Sequence, residues 1–199
     1  MRESAFWHGF VQRCAAPGAD GALQKMIAHW LAAHPPRGVC LDVGCGPHPR
    51  LRAAGLKAIG VDVSETFVHA VRRDGGAAEV ACATALPFGD GAFAGVWSFG
   101  LLHHLPDEAV RSAVGEMRRV TCAGGWTVIF DAVRPHSAWR RPLAALLRAA
   151  DRGGWMRSQA ALEALLRPFG DWQCERMTYA WTGLEGLWCA LAKDGKESR

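Results

Sequence analysis

The 199-residue sequence predicts an α/β fold, helices packed on a mainly parallel sheet, and three observations carry that prediction. Short β-branched and aromatic runs alternate with amphipathic runs of helical period along most of the chain. A G-x-G loop leaves the first of the strand-like runs, and an aspartate ends the second. The chain closes on two strand-like runs joined by a tight turn, which reads as an antiparallel hairpin. At this length, with half its residues apolar, one well-buried domain over residues 1–199 is expected.

The elements follow in order. Residues 1–36 precede the sheet as a helical lid. Within it Phe6, Trp7 and Phe10 mark a short aromatic helix, and Asp20 to Ala33 sets Leu23, Met26, Ile27, Trp30 and Leu31 at helical spacing. Residues 37–131 form the ligand-binding core. Its strands are expected at Val39 to Val43, Ala58 to Val61, Ala78 to Ala81, Gly95 to Phe99 and Trp126 to Phe130. Ser64 is placed to cap a helix running to Arg73, and Asp107 to Val120 aligns Val110, Val114, Met117 and Val120 on one stripe. Residues 132–199 form a substrate-side insert and the hairpin: a helix near Ala138 to Ala150, a Ser158-capped helix to about Pro168, and strands around Asp171 to Ala180 and Gly186 to Ala192, turning at Thr182-Gly183.

Composition excludes several classes of function. No run of about 18 apolar residues occurs and the first residues lack an apolar leader, so a cytoplasmic protein with no membrane partner is expected. Seven cysteines stand singly with no C-x-x-C pair, so no metal site is expected and most should be small buried apolar residues. The net charge is only +4, but seven arginines between Ala132 and Gly170 face just Asp151 and Glu163. That excess suits an anionic substrate or RNA, or is a solvated helix surface. Nine tryptophans accompany one tyrosine. Trp7, Trp139, Trp155 and Trp181 lie outside the central strands, where core filling is the first expectation and lining a pocket the second.

In open α/β sheets ligands bind beyond the carboxyl ends of the strands, where the strand order reverses. The stretch Val-Cys-Leu-Asp-Val-Gly-Cys-Gly-Pro-His-Pro-Arg (39 to 50) leaves the first strand there. Gly44 and Gly46 permit positive φ and close approach of a ligand to the backbone, with the amides beyond them expected to point at it. His48 occupies the place of a third glycine and fits only at negative φ, which Pro47 and Pro49 favour. Asp62, 18 residues after Gly44, is placed to accept hydrogen bonds from ribose hydroxyls. These signals fit NAD, FAD or S-adenosylmethionine alike. Without a third glycine, and with only 14 positions from Gly46 to Gly60, the loop is a poor pyrophosphate cradle. Asp42, just inside the loop, suits a cationic amino-acid ligand better than a dinucleotide.

Five stretches then occur in a familiar order: Leu-Asp-Val-Gly-Cys-Gly (41 to 46), Gly-Val-Asp-Val-Ser (60 to 64), Ala-Leu-Pro-Phe-Gly-Asp-Gly-Ala-Phe (85 to 93), Leu-Leu-His-His-Leu-Pro-Asp (101 to 107) and Ala-Gly-Gly-Trp-Thr-Val-Ile (123 to 129). Through them the sequence resembles the class I S-adenosylmethionine-dependent methyltransferases of the type 11-like group, over roughly Val39 to Ala132. The resemblance implies a Rossmann-like, doubly wound, seven-stranded sheet, mostly parallel with an antiparallel last strand. It implies S-adenosyl-L-methionine as cofactor, its methionine half held by Asp42, Gly44, Cys45 and Gly46, its ribose by Asp62, and its adenine over Val63 and beside Cys82 and Ala83. Ser98, near the end of the fourth strand, joins that set. The family usually has an acid at the position of Cys82, and its replacement forgoes about 0.5–1.5 kcal/mol, one net hydrogen bond.

His103 and His104 lie on the loop that faces the methyl group in this family. They are the base candidates, against a reading in which they only shape the loop. Asp131 orients an acceptor or caps a helix, and Arg134 and His136 stand beside it. The expected activity is methyl transfer to the O, N or C nucleophile of a small molecule. The chain also resembles the tRNA wobble-uridine methyltransferases, whose RNA substrate would suit the arginine-rich insert. A catalytically silent protein that binds the cofactor or a partner is the third reading.

Overall fold

Seven strands make one sheet in the computed structural model, which describes residues 18–137, 139–149 and 153–195. They are β1 (Cys40–Val43), β2 (Ala58–Asp62), β3 (Ala77–Val80), β4 (Phe93–Phe99), β5 (Thr121–Ala132), β6 (Gln173–Thr178) and β7 (Glu185–Ala192), in spatial order β3-β2-β1-β4-β5-β7-β6. β1 to β5 pair in parallel, and β7 runs antiparallel to both β5 and β6. The order reverses between β1 and β4, so the expected ligand crevice opens at their carboxyl ends.

The strands alternate their side chains between two cores, as a two-residue period requires. Leu41, Val43, Val96 and Ile129 face one side, where α4 (Asp107–Val120) and α6 (Gln159–Leu166) bury Val110, Val114, Met117, Leu162 and Leu166. Cys40, Trp97, Val128 and Phe130 face the other, against Leu23 and Ile27 of α1 (Ala19–Ala33) and Leu51 of the single-turn α2 (Arg50–Ala53). The helix α3 (Glu65–Arg73) starts where Ser64 Oγ accepts the Phe67 N–H, and lays Val68 and Val71 on Ala78 of β3. Trp30 meets Trp97 edge-on at 4.9 Å and Trp126 at 5.3 Å, filling the second core with indole rings.

Several expectations need adjustment. The fifth strand extends to Thr121–Ala132, and its pairing with β4 breaks register between Phe93 and Gly95. The helix expected near Ala138 to Ala150 is α5 (Pro142–Ala149), which begins at a proline, a residue suited to the first helical turn. Ala138 and Ala150 lie outside the described residues. Trp139, Trp155 and Trp181 do not fill the core, being 78%, 50% and 77% exposed, because the segments carrying them run along the surface. Phe6, Trp7, Phe10 and Cys14 also lie outside the described residues, so only α1 speaks for the leading region, and it packs on the sheet.

Of the six described cysteines, Cys40, Cys45 and Cys189 are buried and Cys82 is exposed. Cys174 and Cys189 stand directly opposite on β6 and β7, and their proximity pushes the Cys189 thiol up and lowers that of Cys174.

Candidate active site

The loop after β1 folds onto the end of β2. Gly44 and Gly46 take φ of 71° and 59°, the left-handed region that glycine alone enters freely. The amides of Gly44 and Cys45 both donate to Val61 O, at 2.8 and 3.0 Å, and the Gly46 amide donates to Asp62 Oδ2 at 3.0 Å. These three amides hold the loop against β2 and are not turned outward toward a ligand. Gly60 makes the packing possible, since a Cβ there would lie 2.6 Å from Cys45 Sγ. His48 has no positive φ, as its flanking prolines require.

These facts decide which cofactor the crevice fits. A pyrophosphate needs free loop amides at the start of a substantial helix. Here the amides are engaged, and α2 is four residues long. A cofactor without phosphate needs neither. A Cβ on Gly46 would meet nothing within 4 Å, so open space lies above the bare backbone. Asp62 accepts from Gly46 and, through Oδ1, from Ser64 N at 2.9 Å. A carboxylate has about four lone-pair sites, so two hydroxyl donors can still be accommodated. Val63, next in sequence, is 69% exposed at the rim.

Asp42 is buried and accepts the Arg50 N–H through Oδ2 at 3.0 Å. Burial pushes its carboxyl up to about 6, against the opposing pull of the Leu51 and Arg50 amides and the Arg50 charge. An unneutralised buried acid under the loop is what an incoming ammonium group would relieve. Cys82 is exposed, with Sγ 3.0 Å from Thr84 Oγ1, a hydrogen bond that lowers its thiol pKa. Ala83 follows it, and Ala81 N donates to Asp62 O at 3.1 Å, so this segment borders the tip of β2. Ser98 is buried and its hydroxyl donates to Val43 O at 3.0 Å. Its side chain therefore ties β4 to the end of β1.

Beyond β4 the chain makes a 3-10 turn, Leu102–His104. His103 is only 8% exposed, and its Nδ1 lies 2.6 Å from Asp131 Oδ1. Asp131, buried near the end of β5, also accepts the N–H groups of Leu102 and Ala132. With three donors converging on the carboxylate, His103 donates from Nδ1, which makes Nε2 the basic nitrogen of the neutral ring. His104 is exposed and stands with its ring centroid 4.1 Å from that of His103.

Arg157 holds the turn. Its Nη1 donates to Leu102 O at 2.8 Å, its Nη2 to Leu105 O at 2.6 Å, and its Nε and Nη2 to Asp107 Oδ1 at 3.0 and 2.7 Å. Trp155 N donates to His103 O at 3.0 Å, and a Cβ on Gly153 would collide with the His103 ring. Both histidines and Asp131 are legible in the sequence as separate candidates, and Arg157 is not. Their pairing spans 28 and more than 50 residues, beyond the reach of any local spacing. Arg134 lies outside the dyad, although its N–H donates to Arg157 O at 2.9 Å.

Comparison with known proteins agrees with this geometry. Residues 41–129 match the family described as methyltransferase domain. The chain is 30% identical over 106 residues to the Homo sapiens protein named Probable tRNA methyltransferase 9B, covering 52% of this chain and 23% of that protein. The chain thus spans less than a quarter of the length of the curated relatives it matches. In structure it resembles a candidate S-adenosyl-L-methionine-dependent methyltransferase from Methanococcus maripaludis, with TM-score 0.68 and 17% identity over 99% of this chain and 95% of that one. A protein studied for the conversion of a disulfide bond into a thioacetal group during echinomycin biosynthesis gives TM-score 0.67 and 20% identity, covering 86% and 82% of the two chains. At these identities the structural likenesses establish the fold.

Proposed function

We propose that the chain, whose residues 41–129 match the methyltransferase-domain family, is a class I S-adenosylmethionine-dependent methyltransferase, and that it methylates a small molecule at an acidic O, N or C nucleophile. The cofactor, when bound, supplies a methyl group activated by a sulfonium. In this reading Asp62 receives the ribose hydroxyls, Asp42 and the Gly44–Gly46 backbone receive the amino-acid tail, and Val63, Cys82 and Ala83 border the adenine. Because the leaving group is neutral, alignment of nucleophile and methyl supplies most of the rate.

The observation that carries the reading is the buried His103–Asp131 pair at the carboxyl ends of β4 and β5. An acceptor that must lose a proton needs a base within reach. Asp131 fixes the ring's tautomer and stabilises the imidazolium formed when Nε2 takes that proton. Arg157, clamping both ends of the 3-10 turn, is a positioning residue.

His103→Gln should lower turnover about 100- to 10,000-fold at saturating cofactor, as loss of a general base does. It should leave cofactor affinity by calorimetry within twofold of wild type. Unchanged turnover would reassign the pair to loop structure. The RNA reading draws on the relative named for tRNA methylation, and it requires RNA binding that weakens steeply with salt. A silent protein would bind the cofactor without turning over any acceptor.

A further inference from the structure

On its β5–β7 side the carboxyl rim opens into a cleft of about 470 Å3 walled by His136, Ser137, Arg140, Arg141, Gln159 and Arg176, with Glu185 at its base. Three guanidinium groups here face one carboxylate. Glu185 is buried and bonded by Arg176, Nη2 to Oε2 at 2.8 Å and Nε to Oε1 at 3.2 Å, and it accepts the His136 N–H at 3.0 Å. Arg176, first among several causes, holds the Glu185 carboxyl below its usual range. That pair cancels itself and leaves Arg140 and Arg141 in excess.

Both surplus charges are held in place while remaining charged. Arg141 Nη1 donates to Thr178 Oγ1 at 2.8 Å and to Gly183 O at 3.1 Å, and lies 3.7 Å from Glu185 Oε1. The Arg140 guanidinium sits over the Trp139 ring, 4.8 Å from its centroid. In the same wall, Ser137 Oγ is buried with no hydrogen-bond partner among the described residues. A buried hydroxyl left unsatisfied is uncommon and calls for a partner. Beside two anchored guanidinium groups, the partner that completes it is an anion with several acceptor oxygens.

We propose that this cleft binds an anionic group, carboxylate or phosphate, of the small-molecule methyl acceptor. The assignment rests on the small-molecule reading above. Its position supports it: Gln159 in the cleft wall is two residues from Arg157, which clamps the His103 turn. Two residues span at most about 7 Å of backbone, so the cleft wall and the clamp on the His103 turn belong to one short stretch of chain. The volume falls in the range of small-ligand pockets, about 300–1,000 Å3, and a concave site differs from the extended basic track that a nucleic-acid backbone follows.

The test uses the full chain and its Arg140→Gln/Arg141→Gln double variant. Each is titrated with inorganic phosphate and with succinate in a thermal-shift assay, with sodium chloride at matched ionic strength as control. Saturable stabilisation of wild type by phosphate or succinate, and not by chloride, is expected, with the midpoint at least tenfold higher in the variant and S-adenosylmethionine affinity unchanged. The tighter of the two anions identifies the acceptor's group. The proposal is overturned by the absence of saturable stabilisation or by equal midpoints in both proteins. It is also overturned if a short single-stranded RNA displaces phosphate and loses its own affinity about a thousandfold or more between about 50 and 200 mM salt, which would make the cleft part of an RNA track. Loss of the anion effect with His103-dependent turnover of a neutral small molecule intact removes this proposal alone. Failure of the protein to turn over any small molecule removes the reading beneath it.

Discussion

Asp42 shows how a single side chain can set stability against binding. Its carboxyl titrates near 6 when folded, raised by burial from an ordinary 3.8. Below about pH 4 it is protonated in both states and costs nothing. As pH rises through 4 to 6 the unfolded chain releases its proton first, so the folded state loses stability, on the order of 3 kcal/mol by neutrality. Asp42→Asn keeps an acceptor for the Arg50 amide and removes that cost. Thermal unfolding should therefore show the variant more stable than wild type at about pH 7.5, with the difference vanishing below the unfolded value of 3.8. The same variant should bind S-adenosylmethionine more weakly, because the charge proposed to meet its ammonium group is gone. Residues of this kind are half legible in sequence. Asp42 and Asp62 follow from their places at strand ends, whereas the engagement of the loop amides with Val61, and of Ser98 with β1, depends on how strands pack and leaves no mark in spacing.

Among the elements, the segment from Gly153 to Arg157 has the largest hold on the chemistry. It reaches the 3-10 turn through the Trp155 amide and the Arg157 guanidinium, and it passes so close to His103 that only glycine fits at position 153. Gly153→Ala must displace the imidazole or the segment itself, at a cost of about 1–3 kcal/mol in stability. Turnover should fall well below that of wild type while calorimetric cofactor affinity holds, since the loop after β1 and the end of β2 are untouched. Equal turnover would mean that the ring position does not matter. The sequence located the parallel strands, α3, α4 and the hairpin to within a few residues, because their periodicity and caps are local signals. It placed the exposed tryptophans in the core, because aromatic content says nothing about which segments lie on the surface.

For the molecule as a whole, cofactor binding should register as stability. A ligand that binds only the folded state adds about 2.7 kcal/mol at one hundred times its dissociation constant. S-adenosylmethionine and its demethylated product should thus both raise the melting temperature. Asp62→Ala should forfeit more than tenfold in affinity and most of that rise, and without ligand should melt a few degrees below wild type, since the Gly46 and Ser64 amides lose their acceptor. A rise undiminished in the variant would place the ribose elsewhere. No described helix is long and apolar enough to cross a membrane, and no group of three or more His, Cys, Asp or Glu suited to a metal occurs among the described residues.

Running β7 against β5 brings its first residue, Glu185, to the rim where β5 ends, so Gly186 stands opposite Ala132 and Leu187 opposite Asp131. Along β7, Leu187 and Cys189 enter one core and Trp188 and Ala190 the other. A slip of one residue would drive the Trp188 indole toward α6 and turn Glu185 away from the arginines it binds. The anchorage of the basic wall is thus locked to the packing of a tryptophan three residues along, and this strand cannot drift without dismantling both at once.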